Sequence, residues 1–205
     1  MVHIRVMSDL MSSKHLPGKK APGPGRPRNF DEAAALQTAM CVFWQNGFEA
    51  TSLDDLTAAM GLSRSSFYGA FGDKQTLFLR AVEQYSKNGI RNLKEIAEAT
   101  EGDAVEAMME AISDPHGGSR GCLLVNCVTE LAPHDAKVAE LGRRHLESIE
   151  EIFAKAIDPQ NPDAVRDRAR AYTSLAIGTL ALRKAGIPAD RIADTLKQAK
   201  TVLSP

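Results

Sequence analysis

The run GLSRSSFYGAFGDKQTLF, residues 61–78, decides the fold because it encodes a very short helix between two turns. Ser63 follows a glycine and a leucine, in the position of a helix N-cap, and the helix that it opens can reach only to Phe71. Gly72 then interrupts the pattern, and Asp73 can cap another helix directly afterwards. A short helix that follows a tight turn is the second half of a helix-turn-helix unit.

The two faces of this short helix differ sharply in character. At 100° per residue, Phe67, Ala70 and Phe71 share one face, which can anchor the helix on its neighbours. The other side presents Arg64, Ser65, Gly69 and Tyr68. Recognition helices enter the DNA major groove by their N-terminal residues, and arginine can bond guanine O6 and N7 as a fork. The alternative is a small helical hairpin with a solvated polar face.

Two helices precede this run, and each carries its own start and stop signals. FDEAAALQTAMCVFWQNGF has acidic residues at its start, apolar residues at helical spacing, and Gly47 at its end. TSLDDLTAAMG follows, with Thr51 or Ser52 as N-cap and an aspartate three residues later, which predicts a capping box. Leu53, Leu56 and Met60 are its expected buried stripe.

The rest of the chain is also predicted to be helical. A fourth helix starts after Asp73 and reaches the high nineties, and five more follow in DAVEAMMEAIS, GCLLVNCVTELA, DAKVAELGRRHLESIEEIFAKAI, DAVRDRARAYTSLAIGTLALRKAG and PADRIADTLKQAKTVL. No stretch alternates as a strand does. The expected fold is therefore all-α with about nine helices, divided into an arm (1–29), a three-helix DNA-binding unit (30–80) and a larger helical body (81–205).

The N-terminal arm is rich in Pro, Gly, Ser and Lys, a composition typical of disorder. Within residues 1–30, six Lys or Arg face one acid, although the net charge of the chain is only -1. A basic arm on a nearly neutral body indicates a polyanionic partner, and the alternative is a solvated tail. No apolar run approaches the ~20 residues that cross a bilayer, and the start lacks the apolar core of a signal peptide. We therefore expect a cytoplasmic protein with no membrane partner.

The stretch from GRPRNFDEAAALQ to DKQTLFLRAV, roughly residues 26–82, resembles the N-terminal domain of the tetracycline-repressor (TetR) family. The spacing of F, GF, TS, L, G, S, FY, F and DK carries the resemblance. It implies that Arg64, Ser65 and Ser66 read bases, and that Tyr68 and Lys74 hold phosphates. Thr51 or Ser52 would add a phosphate contact. The chain departs from many relatives at Gly69, where they carry a larger side chain that touches DNA.

The arm contains PGRPR, which is similar to the Gly-Arg-Pro core of minor-groove hooks. Proline keeps such a segment extended, and Arg26 and Arg28 suit a narrow, negative A·T groove. An ordinary linker with incidental basic residues is the alternative.

In the resemblance, the body holds a ligand pocket and a dimer interface. Adaptable apolar groups mixed with a few polar ones are typical of ligand cavities. On that pattern the candidate residues are Met108, Met109, Cys122, Asn126, Glu130, His145 and Phe153. For each of them, plain core packing is the alternative.

The remaining candidates for chemistry are cysteines and histidines. Cys122 and Cys127 allow a redox-sensor hypothesis, although they lie about 140° apart on a helix. His134, Asp135 and His145 lack metal-ligand spacing, so neither a metal nor a cofactor is expected.

The sequence therefore predicts a homodimeric transcriptional regulator that binds a palindromic operator and releases it when a small-molecule effector enters the body. Repression is favoured over activation. A non-specific DNA-coating protein is the first alternative. An all-helical enzyme is the second, but the sequence contains no phosphate loop, nucleophile elbow or recognisable carboxylate pair.

Overall fold

The computed structural model describes residues 30–114 and 120–203, and every regular element in these ranges is helical. This confirms the predicted all-α fold, whereas the predicted disordered arm lies outside the described residues. The α-helices are α1 (Glu32–Asn46), α2 (Leu53–Met60), α3 (Arg64–Phe71), α4 (Lys74–Ala99), α5 (Ala104–Ser113), α6 (Leu123–Leu131), α7 (Ala136–Ile157), α8 (Arg166–Lys184) and α9 (Ala189–Leu203). A 3-10 turn, Pro162–Val165, leads into α8.

The N-terminal helices begin at the capping side chains that the sequence indicated. Asp31 caps α1, Ser63 caps α3 and Asp73 caps α4, each by accepting hydrogen bonds from backbone N–H groups of the first turn. At α2 the capping box is formed by Ser52 and Asp55. These bonds satisfy amides that have no partner within the helix, which fixes where each helix starts.

An aromatic core holds α1, α2 and α3 against the start of α4. The ring of Phe78 lies 5.1 Å from that of Phe43 and 4.7 Å from that of Phe48. Phe67 and Phe71 are buried on the inner face of α3, as predicted. In α2 only Leu56 of the expected stripe is fully buried, because Leu53 and Met60 lie at the margin of this core.

The body has a second core, formed mainly by α5, α7, α8 and the later part of α4. It includes Met108, Phe153 and Tyr172. The rings of Phe153 and Tyr172 stack with their centres 5.9 Å apart. Helix α4 contributes to both cores, because its first half buries Leu77 and Phe78 and its second half buries Leu93 and Ile96. The predicted division near residue 80 therefore falls within a continuous helix that joins the two parts.

Helices α6 and α7 also reach the aromatic core, which includes Leu124 and Leu141. The N-terminal unit thus shares its packing with the body. Across the described ranges, the helices are too short or too polar to span a bilayer.

Candidate nucleic-acid interface and ligand cavity

Helix α3 presents its first turn and one face to solvent. Arg64 and Ser65 are exposed and Ser66 is partly buried. The Ser63 hydroxyl lies 3.0 Å from that of Ser65 and 2.9 Å from that of Ser66, so three hydroxyls cluster where the helix begins. Such a cluster can donate to or accept from base edges and phosphates.

The rest of the exposed face is open. Tyr68 is 54% exposed, and the edge-to-face contact of its ring with Phe67, at 5.6 Å, fixes its direction. A side chain at Gly69 would meet no atom within 4 Å. The helix surface that the resemblance assigns to DNA is therefore unobstructed from Arg64 to Tyr68. The assignment of individual contacts stays a prediction, and Arg26 and Arg28 lie outside the described residues.

Arg64 is held by Asp54, an acidic residue in the first turn of α2. Its Nε and one terminal nitrogen donate to the Asp54 carboxylate at 3.1 and 2.7 Å, and that same nitrogen lies 2.9 Å from the second oxygen. The hydrogen bonds to Asp54 raise the pKa of Arg64, whose guanidinium is charged at any physiological pH with or without them. Two-thirds of the Arg64 side chain remains exposed. The fork links α2 to α3 and orients Arg64 without burying it.

Lys74 binds groups of its own protein chain. Its Nζ donates to the backbone carbonyls of Phe48, at 2.9 Å, and Thr51, at 2.8 Å. The same ammonium lies 4.3 Å from the centre of the Phe48 ring. Lys74 therefore ties the loop between α1 and α2 to the start of α4. One of its three protons remains for a phosphate, so the phosphate contact stays a prediction.

The structure separates the two alternatives for a phosphate contact at the start of α2. Thr51 is 1% exposed, and its hydroxyl donates to the Gly47 carbonyl at 2.6 Å. The Thr51 hydroxyl is therefore engaged within the protein, and the phosphate contact at the start of α2 stays a prediction. Ser52 is exposed at the helix N-terminus, where anions bind favourably.

A cleft of about 330 Å³ opens in the body and is lined by residues of α1, α4, α5, α7 and α8 together with Cys122 just before α6. Met40 of α1, Tyr85 of α4, His145 of α7 and Arg183 of α8 lie on its walls. Its size falls at the lower end of small-molecule sites, which are about 300–1,000 Å³. We call it the central cavity.

The predicted ligand residues divide into two groups. Cys122 and His145 line the central cavity. Met108, Met109 and Phe153 do not, because they point into the second core and are fully buried by its side chains.

The last two ligand candidates also lie elsewhere. Asn126 donates to the backbone carbonyl of Arg120 and accepts from Lys184, both at 2.9 Å. Glu130 is exposed and faces Gly47, whose Cβ position would lie 3.5 Å from its carboxylate. Asn126 therefore links α6 to α8, and Glu130 adjoins the N-terminal unit.

Tyr85, which the sequence analysis did not identify, shares the cavity wall with two predicted residues, Cys122 and His145. Tyr85 donates its hydroxyl to the sulfur of Cys122 at 3.6 Å, and burial raises its pKa, so the phenol stays protonated. Burial lowers the pKa of His145 to about 4, and its Nδ1 lies 2.8 Å from the Ser86 hydroxyl. Both rings are therefore neutral at pH 7.

All three cysteines carry free thiols. Burial raises the pKa of Cys127 to about 12, and burial also raises that of Cys41. Because the thiolate is the reactive form, burial makes both of these thiols less reactive than a free cysteine. Cys122 is half-buried on the cavity wall. Within the described ranges, no cluster of three His, Cys, Asp or Glu side chains could hold a metal ion.

The comparisons with known proteins agree with this geometry. Residues 35–81 match the family model of bacterial regulatory proteins, tetR family. The HTH-type transcriptional regulator YezE of Bacillus subtilis is 35% identical over 136 residues, which is 63% of this chain and 69% of the relative. The HTH-type transcriptional repressor BdcR of Escherichia coli is 26% identical over 194 residues, or 90% of this chain and 97% of BdcR.

Among solved structures, a cysteine variant of the TetR-family regulator CifR, crystallised with 26-base-pair operator DNA, superposes with a TM-score of 0.76. It is 26% identical, and the match covers 88% of this chain and all of that one. The fold and the exposed α3 define a helix-turn-helix transcriptional regulator. The chain belongs to the tetR family of bacterial regulatory proteins, which confirms the resemblance found in the sequence.

Proposed function

We propose that this regulator is a repressor that binds a palindromic operator as a homodimer and leaves it when a small molecule fills the central cavity. The observation that carries the proposal is the position of Met40, which belongs to α1 of the DNA-binding unit and also lines the cavity. A ligand in the cavity would therefore directly contact a residue of the DNA-binding unit. Repression is favoured because BdcR and ComR, both of Escherichia coli, are named as repressors.

A second contact supports the same coupling. The ring of Tyr85 on the cavity wall meets the ring of Trp44 of α1 edge to face at 5.3 Å. Tyr85 lies on α4, the helix that starts at Lys74 beside the recognition helix. A ligand that displaces Tyr85 or Met40 moves the DNA-binding unit. The ligand changes the equilibrium only if it binds the DNA-incompetent arrangement more tightly.

We also propose that three segments of the chain have separate roles. Residues 30–80 contact DNA, and residues 81–205 hold the ligand and the partner subunit. Residues 1–29 add positive charge that attracts DNA. No feature of the central cavity favours the enzyme alternative over binding.

Selection of genomic fragments by the purified protein tests the proposal. We expect enrichment of one or a few palindromic sites, with operator affinity at least ~10³-fold above that for random DNA. Addition of compounds found to bind the cavity should then release these fragments. Equal retention of all fragments would instead support the DNA-coating alternative.

Replacing Gly178 with arginine is expected to give a folded monomer. Ser174, Gly178 and Ala181 recur on one exposed face of α8, which permits close packing against a second copy. A side chain at Gly178 would meet no atom of its own chain within 4 Å, so the fold should tolerate it. Light scattering at micromolar concentration should show a dimer for the wild type and a monomer for the variant. A wild-type monomer would contradict the proposed assembly.

Deleting residues 1–28 should leave the helical body folded and weaken operator binding. Each phosphate contact contributes about 0.9 to the slope of log affinity against log salt, so loss of the basic arm should flatten that slope. The measurement is a salt titration of both proteins, with circular dichroism to check the fold. An unchanged slope would show that the arm does not touch DNA.

A further inference from the structure

A groove of about 390 Å³ lies between α4 and α7, and we call it the α4–α7 groove. Three of its lining side chains, Ser86, Leu141 and His145, are more than nine-tenths buried and form its floor. The Ser86 hydroxyl lies 2.8 Å from Nδ1 of His145, so these two polar groups bond to each other. Ile90 adds a half-buried apolar side chain. Because burial lowers the pKa of His145 to about 4, the floor carries no charge at pH 7.

The rim of the groove is positively charged. Five charged side chains line it in the described part of the chain, and four of them are cations. Lys87, Arg91 and Lys94 come from successive turns of α4, and Arg144 comes from α7 on the opposite side. The acid is Glu83, which pairs with Lys87 at 3.2 Å. Exposed cations on both sides of an uncharged floor attract an anion into the groove between them.

The two arginines of the rim keep hydrogen-bond donors for such an anion. Arg91 lies 3.9 Å from Glu95, and Arg144 lies 3.9 Å from Glu140, which is too far for a hydrogen bond in either pair. One terminal nitrogen of Arg91 donates to Asn88 at 3.2 Å. A guanidinium carries five N–H donors, so most of those on both arginines remain for a ligand.

We propose that the α4–α7 groove binds a small organic acid, with its carboxylate between Arg91 and Arg144 and its apolar body on Leu141 and Ile90. The planar fork of a guanidinium matches the two oxygens of a carboxylate. An amine of the same shape would meet like charges, and a neutral molecule would gain nothing from them. The proposal goes beyond the effector of the central cavity, because Lys87, Lys94 and Arg144 line the groove and not that cavity.

Fluorine NMR with the full chain and without DNA tests the proposal. The probes have one ring and three head groups: para-fluorophenylacetate, its neutral amide, and para-fluorophenethylamine. We expect the acid to bind about tenfold more tightly than the amide or the amine. Added salt should weaken the acid and leave the amide unchanged, because the cations of the rim are exposed. Equal binding of the three probes, preference for the amine, or no binding of the acid would overturn the proposal.

Inorganic phosphate tests the need for an apolar body. In competition with the fluorinated acid, phosphate at equal concentration should displace little of it, since phosphate makes no contact with Leu141 or Ile90. Complete displacement would show that the rim attracts any anion, and it would overturn the assignment of an organic acid.

Two arginines that are neighbours in α7 locate the contact. Arg144→Met should weaken the acid about threefold to tenfold. Arg143→Met is the matched control, because Arg143 is also exposed and also pairs with Glu140, but it does not line the groove. Lys94→Met repeats the test on the α4 side, where a similar loss is expected. Equal affinity in Arg144→Met, Lys94→Met and Arg143→Met would overturn the placement of the acid in the groove. These side chains are exposed, so the variants should fold, and circular dichroism checks this.

Discussion

Replacing Arg64 with alanine is expected to weaken operator binding about tenfold to a hundredfold and to relax the base preference at one position in each half-site. Arg64 is the first residue of α3 and the long donor on its exposed face. Ser65 and Ser66 are short, and Gly69 contributes no side chain. The measurement is a binding selection on randomised half-sites, which reports the preference at each position separately.

Asp54 provides the matched control for this experiment. Its carboxylate holds the Arg64 guanidinium in a fork on an exposed surface, where such pairs contribute little to stability. Asp54→Ala removes a negative charge beside the phosphates and frees the guanidinium. We expect tighter binding to operator and random DNA alike, with the base preference retained. Uniform loss of affinity in Arg64→Ala, with every preference unchanged, would instead make Arg64 a phosphate contact.

The order and ends of the helices follow from the sequence because their determinants are local. Asp31, Ser52, Ser63 and Asp73 each bond to backbone amides within three residues, so a short pattern contains the whole interaction. The inward face of α3 follows from the same helical period, which places Phe67 and Phe71 together.

The ligand cavity could not be predicted in this way. Helical period shows that a residue points inward, but it does not show which inward space is filled. Met108 and Phe153 point into a packed core, whereas Met40 and Arg183, at opposite ends of the described chain, meet at the cavity. The partners of Lys74 were missed for the same reason, since Phe48 is 26 residues away and is reached through its backbone carbonyl.

Replacing Lys74 with methionine is expected to destabilise the protein by about 1.5–4 kcal/mol. Methionine keeps most of the apolar stem but removes the donor for the carbonyls of Phe48 and Thr51, and it also removes the cation above the Phe48 ring. The Thr51 carbonyl would be left unpaired at a cost of about 1–3 kcal/mol, whereas the Phe48 carbonyl keeps the Thr51 N–H as a donor, and the lost cation–π contact adds about 0.5–1 kcal/mol. Urea denaturation, followed by circular dichroism, measures the change in the free energy of unfolding.

Lys87→Met is the control for the loss of a lysine on the same helix. Lys87 is exposed, and its one ion pair within the described ranges is with Glu83 one turn away, at 3.2 Å, so its replacement should change stability by less than about 0.5 kcal/mol. DNA affinity, measured where Lys74→Met is still folded, then separates the two roles of Lys74. Equal weakening on operator and random DNA indicates a lost phosphate contact, because such a contact carries no sequence information. Loss confined to the operator indicates that the α1–α2 loop has shifted and carried α2 and α3 out of register with the groove. Wild-type stability in Lys74→Met would show that the two carbonyl contacts do not hold that loop.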